Sequence, residues 1–352
     1  MLDVRKSFRT DDPLRALGLS RPAAGFDDAQ RQALAERLLG GDAPDAVLAD
    51  LIRKGVDLPL ARSEVDAAQN HPYLRAAALL QARIAKRDWL LECRARLERE
   101  TFHAVPRRHA LPADIFHADH YTTIKPVVLS GLFDHWPART WTLDALAARI
   151  DNPEIEVQSS RDTDPDFELN SIAHKQCWRW QQLVTRLREN AETNDFYVTA
   201  NNSGLNRKAL GALWDDVGDM PGYLGQSPLG DGFFWMGPKG TITPWHHDLT
   251  QNLLLQMVGT KRVTLVSPAE SPKMRNHQHC FSRFGADAKL AGVPEAARPR
   301  TLSVDIGPGD ALFIPVGWWH HVEGLSLTIG MSFTNFVWDN DFSSFYRTEG
   351  AL

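Results

Sequence analysis

The amino-acid sequence predicts a mainly β protein, a sandwich or barrel, with an α-helical region in front of it. Three observations in the 352-residue chain point to this fold class. Residues 26–104 are rich in Ala, Leu and Arg at helical spacing, whereas short apolar segments separated by Gly, Pro and Asp follow Pro106. Helical patterns interrupt only the first half of that second region. Because strands and helices do not alternate regularly, a doubly wound parallel sheet is not expected.

Three helices are expected in the N-terminal region. Residues 26–41 carry acidic residues at their start and glycines at their end, which is typical of a short amphipathic helix. Residues 42–55 repeat this plan, with Pro44 near the first turn and Gly55 after the last. A longer helix begins at Pro72 and is expected to span about seven or eight turns.

The long helix carries an apolar stripe. Its members fall close to one line: Tyr73, Ala77, Leu80, Ile84 and Leu91. Such a stripe either docks on the protein's own core or mediates self-association, and the sequence leaves both open. Little sequence follows Asn335 for a C-terminal dimerisation element, so a homodimer is expected to use the N-terminal helices. The surplus of Arg and Lys between Arg83 and Arg108 is interpreted as a solvated helix face rather than a site for an anionic partner.

Six segments after Pro106 have the composition of strands. They cover residues 155–160, 195–201, 232–238, 251–268, 300–322 and 325–336. Helical patterns cover 141–150 and 178–190.

Composition limits the classes of function. With 43% apolar and 24% charged residues, the chain resembles an ordinary globular protein. A net charge of −5 gives no reason to expect nucleic acid or a membrane surface as the main partner. The charged N-terminus and the absence of an apolar run of about 18 residues argue against a secretory signal and a spanning helix. Three separated cysteines, Cys93, Cys177 and Cys280, fit reduced thiols in a cytoplasmic protein.

The segment TPWHHDLTQN, residues 243–252, places two histidines before an aspartate. Side chains alternate along a strand, so even-numbered positions from 246 to 256 share one face if the strand is continuous. That face is too polar for a sandwich core unless something polar lies inside. His246 and Asp248 can then converge on one point, and His247 is expected to face the other way. A metal site and plain packing are both compatible with this segment alone.

A second pair of histidines, His320 and His321, follows an apolar strand in GPGDALFIPVGWWHHVEG, residues 307–324. One further imidazole beside His246 and Asp248 would complete the facial triad of non-haem iron. The alternative is that both histidines end a strand in solvent. Strand parity cannot choose between His320 and His321 as the third ligand.

Lys261 follows a turn at 258–260 and shares its strand face with Val263 and Leu265. A buried ammonium in that environment needs an anionic partner. The alternative is a lysine that opens the strand in water.

Two further groups of residues have more than one interpretation. Four tryptophans lie near these segments: Trp235, Trp245, Trp318 and Trp319. They are compatible with a substrate channel or with core packing. His277 and His279 have a spacing that a second metal could use, but their polar loop has no nearby carboxylate, so a surface role is expected.

From about Pro106 onward, over about two-thirds of the chain, the sequence resembles the JmjC (cupin-like) family of 2-oxoglutarate oxygenases. It is most similar to the branch of protein hydroxylases such as the asparaginyl hydroxylase that restrains the hypoxia factor. TPWHHDLTQNLLLQMVGTKRVTLVSP resembles the family's Thr-Pro-x-His-x-Asp, Gln-Asn and Gly-x-Lys pattern. PVGWWHHVEG resembles its Pro-x-x-Trp-Trp-His segment, and WPARTWTLDAL resembles the usual opening of the domain.

The resemblance implies a double-stranded β-helix, or jelly-roll, for residues 106–340. Residues 1–105 would form an N-terminal helical region and 341–352 a C-terminal tail. It also implies that iron(II) is bound by His246, Asp248 and His320.

For the co-substrate 2-oxoglutarate, the resemblance implies that Lys261 binds the C5 carboxylate and that the Tyr197 and Thr243 hydroxyls donate to it. Thr243 has the wrong strand parity relative to the first metal ligand, so its role needs a bend at the proline that follows it. Asn252 is expected near the metal-chelating end, and Ser332 stands where some family members carry Asn.

The activity that the resemblance implies is hydroxylation of an amino-acid side chain of a protein or peptide, using dioxygen and releasing succinate and CO2. The same chemistry on a small molecule or a methylated lysine is the first alternative. A non-catalytic cupin-fold binding module is the second.

Overall fold

The computed structural model describes residues 25–189, 191–199, 204–226, 232–347 and 350. The described chain divides between Leu90 and Leu91 into two compact units. Within the described ranges, no helix combines the length and the apolar character that a bilayer crossing requires. The domain boundaries near 105 and 340 stay predictions; positions 1–24 of the predicted helical region and most of the last five residues of the predicted tail lie outside the described residues.

Four helices follow one another in the first part of the chain: α1 (Asp28–Leu39), α2 (Pro44–Arg53), α3 (Leu58–Asn70) and α4 (Pro72–Thr101). α1 begins with a capping box in which the Gln30 N–H donates to the Asp27 carboxylate and the Asp27 N–H donates to the Gln30 side chain. The predicted helices α1, α2 and α4 are confirmed. α3 was not predicted; its opening LPL suggests a break, yet proline is tolerated in a first helical turn.

The stripe predicted on α4 does not dock on a core in the first half of the helix. Tyr73, Leu80 and Ile84 are 80%, 57% and 47% exposed, respectively. The core of the N-terminal unit consists instead of Phe26 and buried residues of α1, α2 and α3, including Leu34, Val47 and Val65.

The second unit contains all the described strands and several short helices. The helices are α5 (Ala113–Phe116), α6 (Leu143–Arg149), α7 (Trp180–Arg188) and α8 (Gly204–Ala209). The strands up to the middle of the unit are β1 (Arg107–His109), β2 (Val127–Ser130), β3 (Glu154–Ser159), β4 (Lys175–Arg179), β5 (Phe196–Tyr197), β6 (Phe233–Gly237), β7 (Ile242–His247) and β8 (Asn252–Val258). The remaining strands are β9 (Lys261–Val266), β10 (Asn276–Gln278), β11 (Phe281–Ser282), β12 (Leu302–Ile306), β13 (Asp310–Ile314), β14 (Trp319–Gly324) and β15 (Thr328–Phe333).

These strands build two six-stranded sheets and one small one. Sheet I has the order β1-β2-β13-β8-β15-β6, sheet II the order β10-β11-β7-β14-β9-β12, and the small sheet the order β4-β3-β5. From β6 to β9, successive strands lie alternately in sheet I and sheet II, and the same alternation recurs from β12 to β15. Two sheets wound in this way form a double-stranded β-helix. The predicted mainly β fold class is confirmed.

The two faces of sheet I have different environments. Odd-numbered residues of β8, such as Leu253 and Leu255, pack on the outer side with α6, α7 and the small sheet. Leu254 belongs to a smaller cluster with Val263 and Leu265 of sheet II, between the sheets. Each fully buried large side chain stabilises a fold by roughly 1.5–3 kcal/mol, so the larger outer cluster contributes more hydrophobic stabilisation than the inner one. The smaller inner cluster leaves space between the two sheets.

The continuous strand expected from 246 to 256 is wrong. β7 ends at His247 in sheet II and β8 begins at Asn252 in sheet I, and residues 248–251 connect the two sheets. Because both strands turn their even-numbered residues inward at this point, His246 and Asn252 still face one interior.

Candidate active site

His246, Asp248 and His320 meet between the sheets. His246 on β7 and His320 on β14 are directly paired residues of neighbouring antiparallel strands, and their ring centroids lie 4.1 Å apart. Asp248 follows the end of β7; its Oδ1 lies 3.7 Å from His246 Nε2 and its Oδ2 lies 3.8 Å from His320 Nε2. One ligand atom from each residue falls within 4.8 Å of the other two.

Hydrogen bonds orient these three side chains. His246 Nδ1 donates to the Pro244 carbonyl at 2.8 Å, and His320 Nδ1 donates to the Trp318 carbonyl at 3.0 Å. Each bond leaves the Nε2 lone pair free, as in histidines that bind metals. Asn252 Nδ2 donates to Asp248 Oδ2 at 2.9 Å, so Oδ1 stays available.

The protonation states suit a divalent metal. Burial, followed by the neighbouring His320, lowers the pKa of His246 to about 4, so its imidazole is neutral near pH 7. Burial alone would raise the pKa of Asp248, but His320, His246 and the Asn252 hydrogen bond together lower it. Two imidazole nitrogens and one carboxylate oxygen on one side of a cavity are the donor set of a non-haem iron(II) centre, so these residues fit that ion.

The neighbouring histidines turn away from this centre. His247 packs edge-on against Trp319, with ring centroids 4.7 Å apart. His321 packs near Trp245 and pairs through Nε2 with the Ala286 carbonyl at 3.1 Å. The sequence could not choose between His320 and His321, and the structure directs only His320 toward Asp248.

A cavity of about 390 Å³ opens beside the three side chains. All the predicted site residues line it: Tyr197, Thr243, His246, Asp248, Asn252, Lys261, His320 and Ser332. Its volume lies in the range of small-molecule sites. Leu254, Ile314 and Val322 supply apolar wall.

Lys261 is a buried cation in this cavity, only 2% exposed. Burial lowers the pKa of its ammonium to about 7. Its Nζ lies 5.7 Å from the centroid of the Trp235 ring and 6.0 Å from that of Tyr197, and no carboxylate of the described residues forms an ion pair with it. An anionic ligand in the cavity would provide the missing counter-charge.

Thr243 reaches the cavity because β7 is irregular. His246 pairs with His320 and Thr243 pairs with Val322, so two residues of β7, Pro244 and Trp245, oppose a single residue of β14. This bulge turns Thr243 to the same side as His246. The bend expected at the proline is therefore present. Tyr197 lines the cavity beside Thr243, and burial raises the pKa of Tyr197.

Only one of the four tryptophans lines the cavity. Trp235 does so, and its Nε1–H donates to Ser332 Oγ at 2.9 Å. Trp245 and Trp319 pack in the cluster outside sheet II, and Trp318 donates to the Ile124 carbonyl. The channel interpretation is wrong for these three. His277 and His279 are not part of any candidate metal cluster in the described ranges.

Sequence reasoning missed Arg161, which is 1% exposed. Its guanidinium lies over Phe167 and Tyr197, with its Cζ 4.3 Å and 5.2 Å from the ring centroids. Nη2 donates to the Ile242 carbonyl at 2.7 Å and lies 3.7 Å from a Glu168 oxygen. Nε and Nη1 have no hydrogen-bond partner in the described part of the chain. An arginine after a strand normally reaches solvent, so the sequence carries no signal of this burial.

A jelly roll with a two-histidine, one-carboxylate centre inside it defines a cupin-type metal site. Residues 112–344, about two-thirds of the chain, match the family described as Cupin-like domain. The protein belongs to this cupin-like, JmjC family of Fe(II)- and 2-oxoglutarate-dependent oxygenases.

Similar proteins carry several names. The Danio rerio protein named lysine-specific demethylase 8 is 32% identical over 253 residues, which cover 65% of this chain and 57% of that protein. The Arabidopsis thaliana protein named lysine-specific demethylase JMJ30 is 28% identical over 264 residues, covering 72% and 58%. The Homo sapiens protein named tRNA wybutosine-synthesizing protein 5 is 25% identical over 243 residues, covering 65% and 76%. The chain spans less than two-thirds of the length of the first two.

Proposed function

We propose that the protein is an Fe(II)- and 2-oxoglutarate-dependent dioxygenase that hydroxylates an amino-acid side chain of a protein or peptide, releasing succinate and CO2. The observation that carries this proposal is that His246, Asp248, His320 and the unpaired Lys261 line one cavity. A site that binds a metal-chelating dicarboxylate needs a metal-binding donor set for the chelating end and a cation for the second carboxylate, and this cavity contains both.

The proposal gives each residue a role. His246, Asp248 and His320 hold iron(II), which together with dioxygen supplies the oxidising chemistry when bound. The Lys261 ammonium and the Tyr197 and Thr243 hydroxyls hold the C5 carboxylate of 2-oxoglutarate. Asn252 orients Asp248, and Ser332, held by Trp235, borders the co-substrate. The apolar wall excludes water around the reacting groups.

Two observations bear on the substrate. The names of two similar proteins favour a second candidate, removal of a methyl group from lysine after hydroxylation of that methyl. The net charge of −5 gives no reason to expect a nucleic acid as the main partner, and we expect a cytoplasmic location.

The test measures succinate formation and oxygen uptake by the iron-loaded protein with 2-oxoglutarate. A lysate digest incubated with and without enzyme is then compared by mass spectrometry. Gain of one oxygen on a side chain supports hydroxylation, whereas loss of a methyl with release of formaldehyde supports the demethylase candidate. The His320→Ala protein is the negative control. A wild-type protein that binds no iron and forms no succinate would favour the binding module instead.

A further inference from the structure

The part of α4 up to Leu90 exposes large apolar side chains that no described residue of the N-terminal unit covers. Ten consecutive residues, 78–87, are all exposed. Six large apolar residues between the start of α4 and Leu90 are 47–80% exposed: Tyr73, Leu79, Leu80, Ile84, Trp89 and Leu90. We call this set the α4 apolar surface. Except for Trp89, its members fall within an arc of about 140° at 100° per residue.

We propose that the α4 apolar surface is the interface of a two-fold symmetric homodimer. Burying a large apolar side chain removes roughly 100 Å² from water, so the five residues of the arc give about 500 Å² per copy. Two copies would bury about 1,000 Å², which reaches the lower limit expected of a specific interface. A two-fold axis lets one apolar patch cover its own equivalent, so no separate receptor surface is required.

Several charged side chains of the N-terminal unit have no ion-pair partner among the described residues. Arg75, Arg83 and Lys86 on α4 lack a carboxylate partner within 4.0 Å among the described residues, since the ion pairs of this unit involve other side chains. Asp57 at the start of α3 and Asp66 within it are likewise without a basic partner in the described ranges. Arg75, Arg83 and Lys86 are therefore free to pair with carboxylates of the partner copy at the polar rim of the interface.

The test is the mass of the purified full-length protein in solution by light scattering, with Leu80→Glu and Gln81→Glu compared side by side. Both variants add one carboxylate to an exposed position of the same helix, so both should fold, as circular dichroism checks. We expect a dimer for wild type and Gln81→Glu and a monomer for Leu80→Glu. A monomeric wild type at about 100 µM, or a Leu80→Glu protein as dimeric as Gln81→Glu, would overturn the proposal.

A separate observation concerns Arg161, and this inference rests on the proposed function. Arg161 lies over the Tyr197 ring, and its Nη2 holds the carbonyl of Ile242, the residue before Thr243. It therefore joins the strands that carry the two hydroxyls of the cavity, while two of its nitrogen atoms, Nε and Nη1, are buried without a hydrogen-bond partner among the described residues. A buried, partly unsatisfied cation is costly for folding.

We infer that Arg161 is a positioning residue for the anionic co-substrate. Its charge lies over the face of Tyr197 and strengthens the phenol as a hydrogen-bond donor toward a carboxylate. Its bond to Ile242 fixes Thr243. Replacement by Met keeps the buried stem and removes the charge, so it should weaken the binding of 2-oxoglutarate without affecting metal binding.

Calorimetry with 2-oxoglutarate and with Mn(II) tests this inference on wild type, Arg161→Met and Lys261→Met. We expect about tenfold weaker 2-oxoglutarate binding for Arg161→Met, unchanged Mn(II) affinity and unchanged or raised thermal stability. Equal 2-oxoglutarate affinity of Arg161→Met and wild type, with binding lost in Lys261→Met, would overturn the role of Arg161 alone. No binding of 2-oxoglutarate to the wild type would instead contradict the proposed function. A purely structural arginine would lower thermal stability on replacement and leave the affinity of the folded protein unchanged.

Discussion

His246 and His320 face each other as paired residues of β7 and β14, and each is followed in the chain by a histidine that points out of the sandwich. β7 and β14 thus each direct one imidazole into the sandwich and the next one out of it, at the level where the two strands pair. Since the inward pair meets Asp248, the fold itself separates two chemically identical neighbours into different environments.

This separation makes His320→Ala and His321→Ala a matched pair. We expect His320→Ala to lose iron and 2-oxoglutarate turnover, because two ligands hold the metal poorly. His321→Ala should retain both, with lower stability from the lost contact to the Ala286 carbonyl. Metal content by mass spectrometry and succinate formation are the measurements. Equal iron content in the two variants would contradict the assignment.

Lys261 predicts a pH dependence of co-substrate binding. In the free protein its pKa is about 7, and a bound dianion would raise it. Affinity for 2-oxoglutarate should therefore be constant below pH 7 and fall by up to tenfold per pH unit above it, with proton uptake on binding at pH 8. Calorimetry in buffers of different ionisation enthalpy measures both. In Lys261→Arg, whose guanidinium stays charged, whatever affinity remains should not change over this range.

Asn252 predicts a change in metal affinity. Its Nδ2 donates to Asp248 Oδ2, so Asn252→Ala leaves this carboxylate free to rotate. We expect a loss of roughly 10–100-fold in Mn(II) or Fe(II) affinity, the usual effect of removing such a partner. Titration with the metal measures this. An unchanged metal affinity would show that Asp248 is oriented by other contacts.

Gly259, in the turn before Lys261, predicts a large loss of stability. It has φ +74°, and a Cβ there would collide with the Leu327 carbonyl oxygen. Gly317 has a similar φ of +76°, but its Cβ would meet Pro268 only at 3.6 Å, an ordinary contact. We expect Gly317→Ala to cost about 1 kcal/mol and Gly259→Ala about 3 kcal/mol or more in the free energy of unfolding. Denaturant titration of both variants measures the difference, and equal losses would contradict the collision.

The fold class followed from pattern because strand-like segments and helical spacing depend on local sequence. The crossing between the two sheets at residues 248–251 could not be predicted, because a turn between sheets and a continuous strand can carry the same alternation of polar and apolar residues. The exposure of α4 could not be predicted either, because an apolar stripe in the sequence does not indicate which part of the structure covers it.

Within the site, the parity of β7 and the resemblance to known motifs were enough to select eight of the fifteen residues that line the cavity. Trp235 could not be distinguished from core tryptophans, because its place in the cavity depends on the pairing of β6 with β15, which brings its Nε1–H to Ser332. Arg161 was missed for a similar reason: its environment is created by Phe167, Tyr197 and Ile242, which come from separate segments.

The bulge at Pro244 and Trp245 has a consequence for how such a pocket can be altered. If the bulge is removed, Thr243 rotates by one strand position, and the Pro244 carbonyl that orients His246 moves with it. The two bulge residues therefore tie the orientation of one proposed metal ligand to that of one proposed co-substrate contact. A redesign aimed at a shorter or longer keto acid has to keep this carbonyl in place while it changes the position of Thr243.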